Sequence, residues 1–199
     1  MPLIVKCALV TLLFAPLIIY FVIGFDGNGG RQGEQRKEPQ PVQPDLNNML
    51  TFHDRGGGYQ IQYPSNWTLD DNTAANQMIR ANIGQGETVG FQIRMYDDVK
   101  KKFGNFVHWY ADQFIEDMRG HWGGAMSQAG REHGLVGKYP GSRLSFILNR
   151  RDGEKWFFKH YLWPQGKRVI VLQCGTPVEL RQQNEPVLDK IAETFEFVP

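Results

Sequence analysis

RVIVLQCGTPVE, residues 168–179, joins a strand to a helix within a few residues. Val169 to Leu172 are a run of Val, Ile and Leu, the composition of a buried strand. Cys174 shares the side of Ile170 and Leu172 and reads as a small buried hydrophobe. Thr176-Pro177-Val178-Glu179 has the form of a capping box. Thr176 would be the N-cap, Pro177 the first helical residue, and Glu179 would reach back from the third. Pro186 then interrupts the helix or restarts it after Asn184, and Val187, Leu188, Ile191 and Phe195 give it an apolar face. Phe197 begins a last short strand.

Upstream of this junction the period is mostly two. Leu144, Phe146 and Leu148 alternate, Asp152-Gly153 supplies a hairpin turn, and 155–163 is the return strand. Pro164-Gln165-Gly166 turns the chain into residue 168. Near the start, GYQIQYPSNW (58–67) alternates Tyr59, Ile61 and Tyr63 against Gln60 and Gln62. Strand-like runs follow at 77–83 and 89–96, separated by a turn at Gly84 and Gly86. The period changes once. Phe103, Phe106, Val107, Tyr110, Phe114, Ile115 and Met118 recur at steps of three and four, which predicts an amphipathic helix with Gly120 as its stop.

These motifs, GYQIQYPSNW, the aromatic helix, RVIVLQCGTPVE and LDKIAETFEF (188–197), resemble the PsbP-like family over essentially all of 49–199. That family includes the extrinsic PsbP protein of photosystem II, DcrB-type bacterial envelope proteins and a eukaryotic Ran-release factor. The resemblance implies an α+β, three-layer α/β/α sandwich around a central, mostly antiparallel sheet. It does not imply an enzyme, and no ion-site motif of the photosynthetic members matches here residue by residue.

The amino terminus reads as a membrane anchor, 1–25. Cys7 to Phe25 are 19 residues without a charge. At ~1.5 Å per residue they reach about 28 Å, close to the thickness of a hydrocarbon core. A signal peptide cut after Gly24 is the rival, but no polar stretch leads to that cut. The expectation is one transmembrane helix. Orientation draws on opposed arguments. Arg31, Arg36 and Lys37 would hold the downstream side in the cytoplasm, whereas one terminal apolar segment ahead of a sizeable domain is the layout of an export signal-anchor. The second argument is preferred: an extracytoplasmic domain, periplasmic if the chain is bacterial.

Residues 26–48, rich in Gly, Gln and Pro, read as a disordered linker that buries too little apolar surface to order itself. As a flexible chain of 23 residues it would span roughly 24–29 Å. Residues 49–199 are then one globular domain, long enough to fold without staples.

Lys+Arg 22 against Asp+Glu 21 excludes a strongly basic nucleic-acid binder, and no nucleic-acid partner is expected. Two cysteines exclude a disulfide scaffold. No Gly-x-Ser-x-Gly elbow occurs, and an apolar strand would raise rather than lower the pKa of Cys174, so no catalytic residue is assigned. His108, Asp112 and Glu116 step by four along the helix and could bind a divalent cation, but a solvated face explains them as well; no metal or cofactor site is assigned. His53-Asp54 reads as a turn, and His160 as a half-buried packing residue. Arg150, Arg151, Lys155 and Lys159 cluster with aromatics around one hairpin and read as its solvated tip. Trp109 falls outside the apolar stripe, beside His108 and Asp112, and these three mark a candidate partner surface. The expected function is a membrane-anchored, non-catalytic accessory domain that binds a protein partner near the membrane. The alternative is a small-ligand or metal-ion-binding extracytoplasmic domain.

Overall fold

The computed structural model describes residues 43–70, 79–85 and 89–199. The expected membrane span and most of the expected linker lie outside the described residues. No helix among the described residues is long and apolar enough to cross a membrane.

The strands are β1 (Met49–Asp54), β2 (Tyr59–Pro64), β3 (Thr68–Asp70), β4 (Ile79–Gln85), β5 (Val89–Tyr96), β6 (Ala125–Val136), β7 (Tyr139–Asn149), β8 (Lys155–Gln165), β9 (Arg168–Pro177) and β10 (Glu196–Phe197). Helix α1 (Phe103–Trp122) follows β5, and α2 (Arg181–Glu193) follows β9 after a single 3-10 turn at Val178–Leu180. Seven strands pair in the order β3-β4-β5-β9-β8-β7-β6, and β1-β2-β10 form a smaller sheet. Every pairing is antiparallel.

β9 shows why the sheet sits between two cores. Val169 and Val171 pack with α1, against Phe106, Tyr110, Phe114 and Phe158. Ile170, Leu172 and Cys174 pack on the opposite face with α2 and the small sheet, against Tyr59, Ile61, Trp163 and Phe195. A strand covered on both faces has no polar side, hence its continuous apolar run. At the centre of the second core, Trp163 and Phe195 stack with centroids 4.0 Å apart and planes 7° from parallel.

The chain joins this body earlier than the Gly/Gln/Pro-rich composition indicated. Asn66 accepts from the Asp45 amide and donates to the Gln43 carbonyl, at 3.2 and 2.9 Å. Four local expectations change. Helix α1 runs through Gly120, whose added Cβ would meet nothing within 4 Å, and stops at Gly123, held at φ 65°. A left-handed C-terminal residue ends a helix, whereas glycine within one only weakens it. Thr176 does not cap a helix. It lies within β9, one residue from its end, and its hydroxyl accepts from Asn184 Nδ2 at 2.8 Å, tying the sheet to α2. Pro186 neither breaks nor restarts α2; it lies inside it. Lys159 is not at the hairpin tip but beneath α2, 2.8 Å from Glu185 and 2.7 Å from Asp189.

Two complete cores, with Cys174 free and no metal cluster among the described residues, support folding of residues 43–199 by themselves. That fragment is expected to unfold in one cooperative transition, with the same midpoint in the presence and absence of a chelator. Circular dichroism melts check this.

Candidate functional site

Helix α1 buries Phe106, Val107, Tyr110, Ala111, Phe114 and Met118 and turns the other side to solvent. The three candidate surface residues occupy its outer side but do not converge. His108 leans toward edge strand β6, where Arg131 Nη1 donates to the imidazole, 2.5 Å from Nδ1 and 2.9 Å from Nε2. Arg131 Nε also donates to His133 Nε2 at 3.1 Å, and His133 Nδ1 lies 2.7 Å from Ser142 Oγ. Trp109 leans the opposite way. It stands edge-on to Tyr96 at 6.3 Å and tilted on Phe106 at 5.4 Å, with Lys101 Nζ 4.9 Å from its ring centroid. It still exposes 37% of its surface. Asp112 is exposed on the ridge between them. Arg131 was not singled out in the sequence, because nothing in residues 125–136 shows that they cross beside the start of α1.

Beneath α1 lies a buried polar row invisible to spacing rules. Register places Gln92 opposite Gln173, and Gln173 opposite His160. All three are almost fully buried, so His160 is not half-buried. Gln173 Nε2 donates to the Tyr110 hydroxyl at 2.7 Å, and that hydroxyl lies 2.8 Å from His160 Nδ1. A hydroxyl that accepts from the amide donates onward, which leaves the imidazole proton on Nε2. Phe114, Phe146 and Phe158 surround the ring at 4.3, 5.2 and 6.3 Å. Burial, and secondarily the charge of Arg94, pushes the His160 pKa well below its ordinary value. Burial also drives Tyr110 upward, so the row is neutral apart from Arg94, which donates to Gln92 at 2.9 Å.

The row does not assemble a nucleophile and base. Lys159 faces Cys174 across the β8–β9 ladder and His160 faces Gln173, so thiol and imidazole project to opposite sides of the sheet. Burial raises the thiol pKa well above its ordinary value, which suppresses the thiolate. Among the described residues no group of three or more His, Cys, Asp or Glu side chains is placed to hold a metal ion. His53 and Asp54 do not form the expected turn but end β1; the turn follows at 55–58, where Asp54 Oδ1 accepts from the Gly57 amide at 2.7 Å. Under α2, burial works against the Lys159 ammonium, but hydrogen bonds and charge from Asp189 and Glu185 outweigh it and raise its pKa. That cluster fastens the helix to the sheet.

No protein-family model matches the sequence, nor does any curated protein. Solved structures do match the fold. Cyanobacterial PsbP (CyanoP) from Synechocystis superposes with a TM-score of 0.63 at 12% identity, covering 84% of this chain and 99% of its own. The Ran-binding protein Mog1p of Saccharomyces cerevisiae gives 0.52 at 8% identity, covering 76% of this chain and 96% of its own. LpqN of Mycobacterium tuberculosis, involved in cell envelope biogenesis, gives 0.51 at 11% identity, covering 76% and 92%. Identities this low establish the fold alone: the chain has a PsbP-like fold.

Proposed function

We propose that this chain is a membrane-anchored, non-catalytic accessory domain that binds a protein partner near the membrane, through the outer side of α1. The observation that carries the reading is Trp109, a large aromatic left 37% exposed on a helix whose other aromatics are buried or half-buried. A rigid aromatic at a surface gives much contact area for little lost conformational freedom, which is why such residues anchor protein interfaces. The names of two fold neighbours point the same way: one is Ran-binding, the other serves envelope biogenesis. The uncharged run at 7–25 supports an anchor, with the domain held outside the cytoplasm. A tether acts through concentration, so a weak contact near the bilayer suffices.

Trp109→Ala is the test. The ring is only partly covered by Tyr96 and Phe106, so its loss is expected to cost the fold about 1–2 kcal/mol, well short of a core tryptophan. Crosslinking in membranes from the native host, followed by mass spectrometry, is expected to recover a partner with the parent chain. Tenfold or more of that yield should be lost in the variant. An unchanged yield would refute the assignment of this surface, and a collapsed melting transition would place Trp109 in the core.

A further inference from the structure

Four lysines gather at one corner of the domain. Lys100, Lys101 and Lys102 precede α1, and the Val99 amide donates to the Lys167 carbonyl at 2.7 Å, which joins this loop to the β8–β9 turn. All four lysines are exposed, and none forms an ion pair with the described residues. Asp97 is taken by Arg168 at 2.8 Å, and Asp98 sits at φ 51° in the turn that aims the loop. The corner therefore sets four lysines against one carboxylate, Asp98, in a chain whose net charge is only +1.

We infer that this corner docks on an anionic lipid surface and so sets the orientation of the domain above the membrane. The inference rests on the tethered reading above and adds a second contact to it. Charge complementarity selects the partner. Lysines are compact, hydrated point charges on flexible stems, suited to a layer of many headgroups, whereas paired recognition of one carboxylate or phosphate favours the guanidinium fork. The one guanidinium at this corner, Arg168, is already engaged. The acids of the domain's helix keep clear of the surface. Asp112, Glu116 and Asp117 lie roughly 15, 21 and 22 Å along α1 from Lys102, beyond the ~8 Å screening length of physiological salt. Because Lys101 Nζ lies 4.9 Å from the Trp109 ring, docking would hold Trp109 beside the headgroup layer, within reach of other proteins of the same membrane.

Lysine footprinting of the full chain in lipid nanodiscs tests the inference. Acylation of Lys100, Lys101, Lys102 and Lys167 is expected to fall severalfold in discs containing phosphatidylglycerol, relative to phosphatidylcholine alone. Lys138, Lys155 and Lys190, elsewhere on the domain, act as internal controls and should not change. Each lysine near an anionic surface contributes about fivefold to binding, so Lys167→Gln should weaken protection of the other three by about that factor. Salt at 1 M, where screening reaches ~3 Å, should abolish it. Equal labelling in the two lipids, or a fall shared by the control lysines, overturns the inference. A chain that leaves phosphatidylcholine discs yet shows these four lysines shielded on anionic ones keeps the corner and refutes the membrane span.

Discussion

Trp163→Ala is expected to cost the domain about 3–5 kcal/mol, a large share of the 5–15 kcal/mol of a typical native domain. Trp163 is fully buried and links three parts of the molecule. Its ring stacks on Phe195 just beyond α2, lies 6.3 Å from Tyr161 on its own strand, and its Nε1 donates to the Val136 carbonyl at 3.2 Å. Truncation removes the apolar area, leaves a cavity between sheet and helix, and orphans a carbonyl at the end of β6. Urea unfolding followed by circular dichroism measures the loss as a lower midpoint at an unchanged slope. The contrast with Trp109→Ala is diagnostic, since the two tryptophans are assigned opposite roles.

Acid is expected to destabilise the fold before the bulk of its carboxylates titrate, and His160 is the reason. Its folded-state proton affinity is depressed, so the unfolded chain binds the proton first. Above pH ~6.5 the site is neutral in both states and its contribution is fully present. Below that value stability falls by up to ~1.4 kcal/mol per pH unit, until the buried imidazole itself takes a proton. Unfolding midpoints measured between pH 7.5 and 5 should show this slope. His160→Phe should flatten it, while lowering stability at neutral pH, because the Tyr110 hydroxyl loses its acceptor. A slope retained in that variant would show that His160 is not its source.

Legibility in the sequence followed burial. β7, β8 and β9 could be read because at least one face of each is covered end to end, which forces alternation or a continuous apolar run. β6 could not. It is an edge strand, and apart from Met126 and Val136 its side chains are exposed or half-covered, so AMSQAGREHGLV shows no period. β1 escaped notice for the same reason. The Thr176 signal misled because a hydroxyl that can cap a helix can equally accept from Asn184. For the site, a helical wheel was enough to put Trp109 outside the apolar stripe. The row from Gln92 through Gln173 to His160 was hidden, because those residues sit on three strands and only register aligns them. The lysine corner was half visible. Lys100 to Lys102 are adjacent in sequence, but Lys167 joins them only through the β8–β9 turn.

β1 is the first strand of the folded body, and among the described residues it pairs on one side only, with β2. A mechanical load applied through the amino-terminal residues would therefore release the Asn66 bonds to Gln43 and Asp45 and then fall on six residues of exposed or half-covered strand. β1 can peel away while the seven-stranded sheet and both of its cores keep their hydrogen bonds. If the chain is tethered as proposed, that makes the first strand a fuse. It lengthens under tension by ~3.4 Å per freed residue, and it reforms when the force drops.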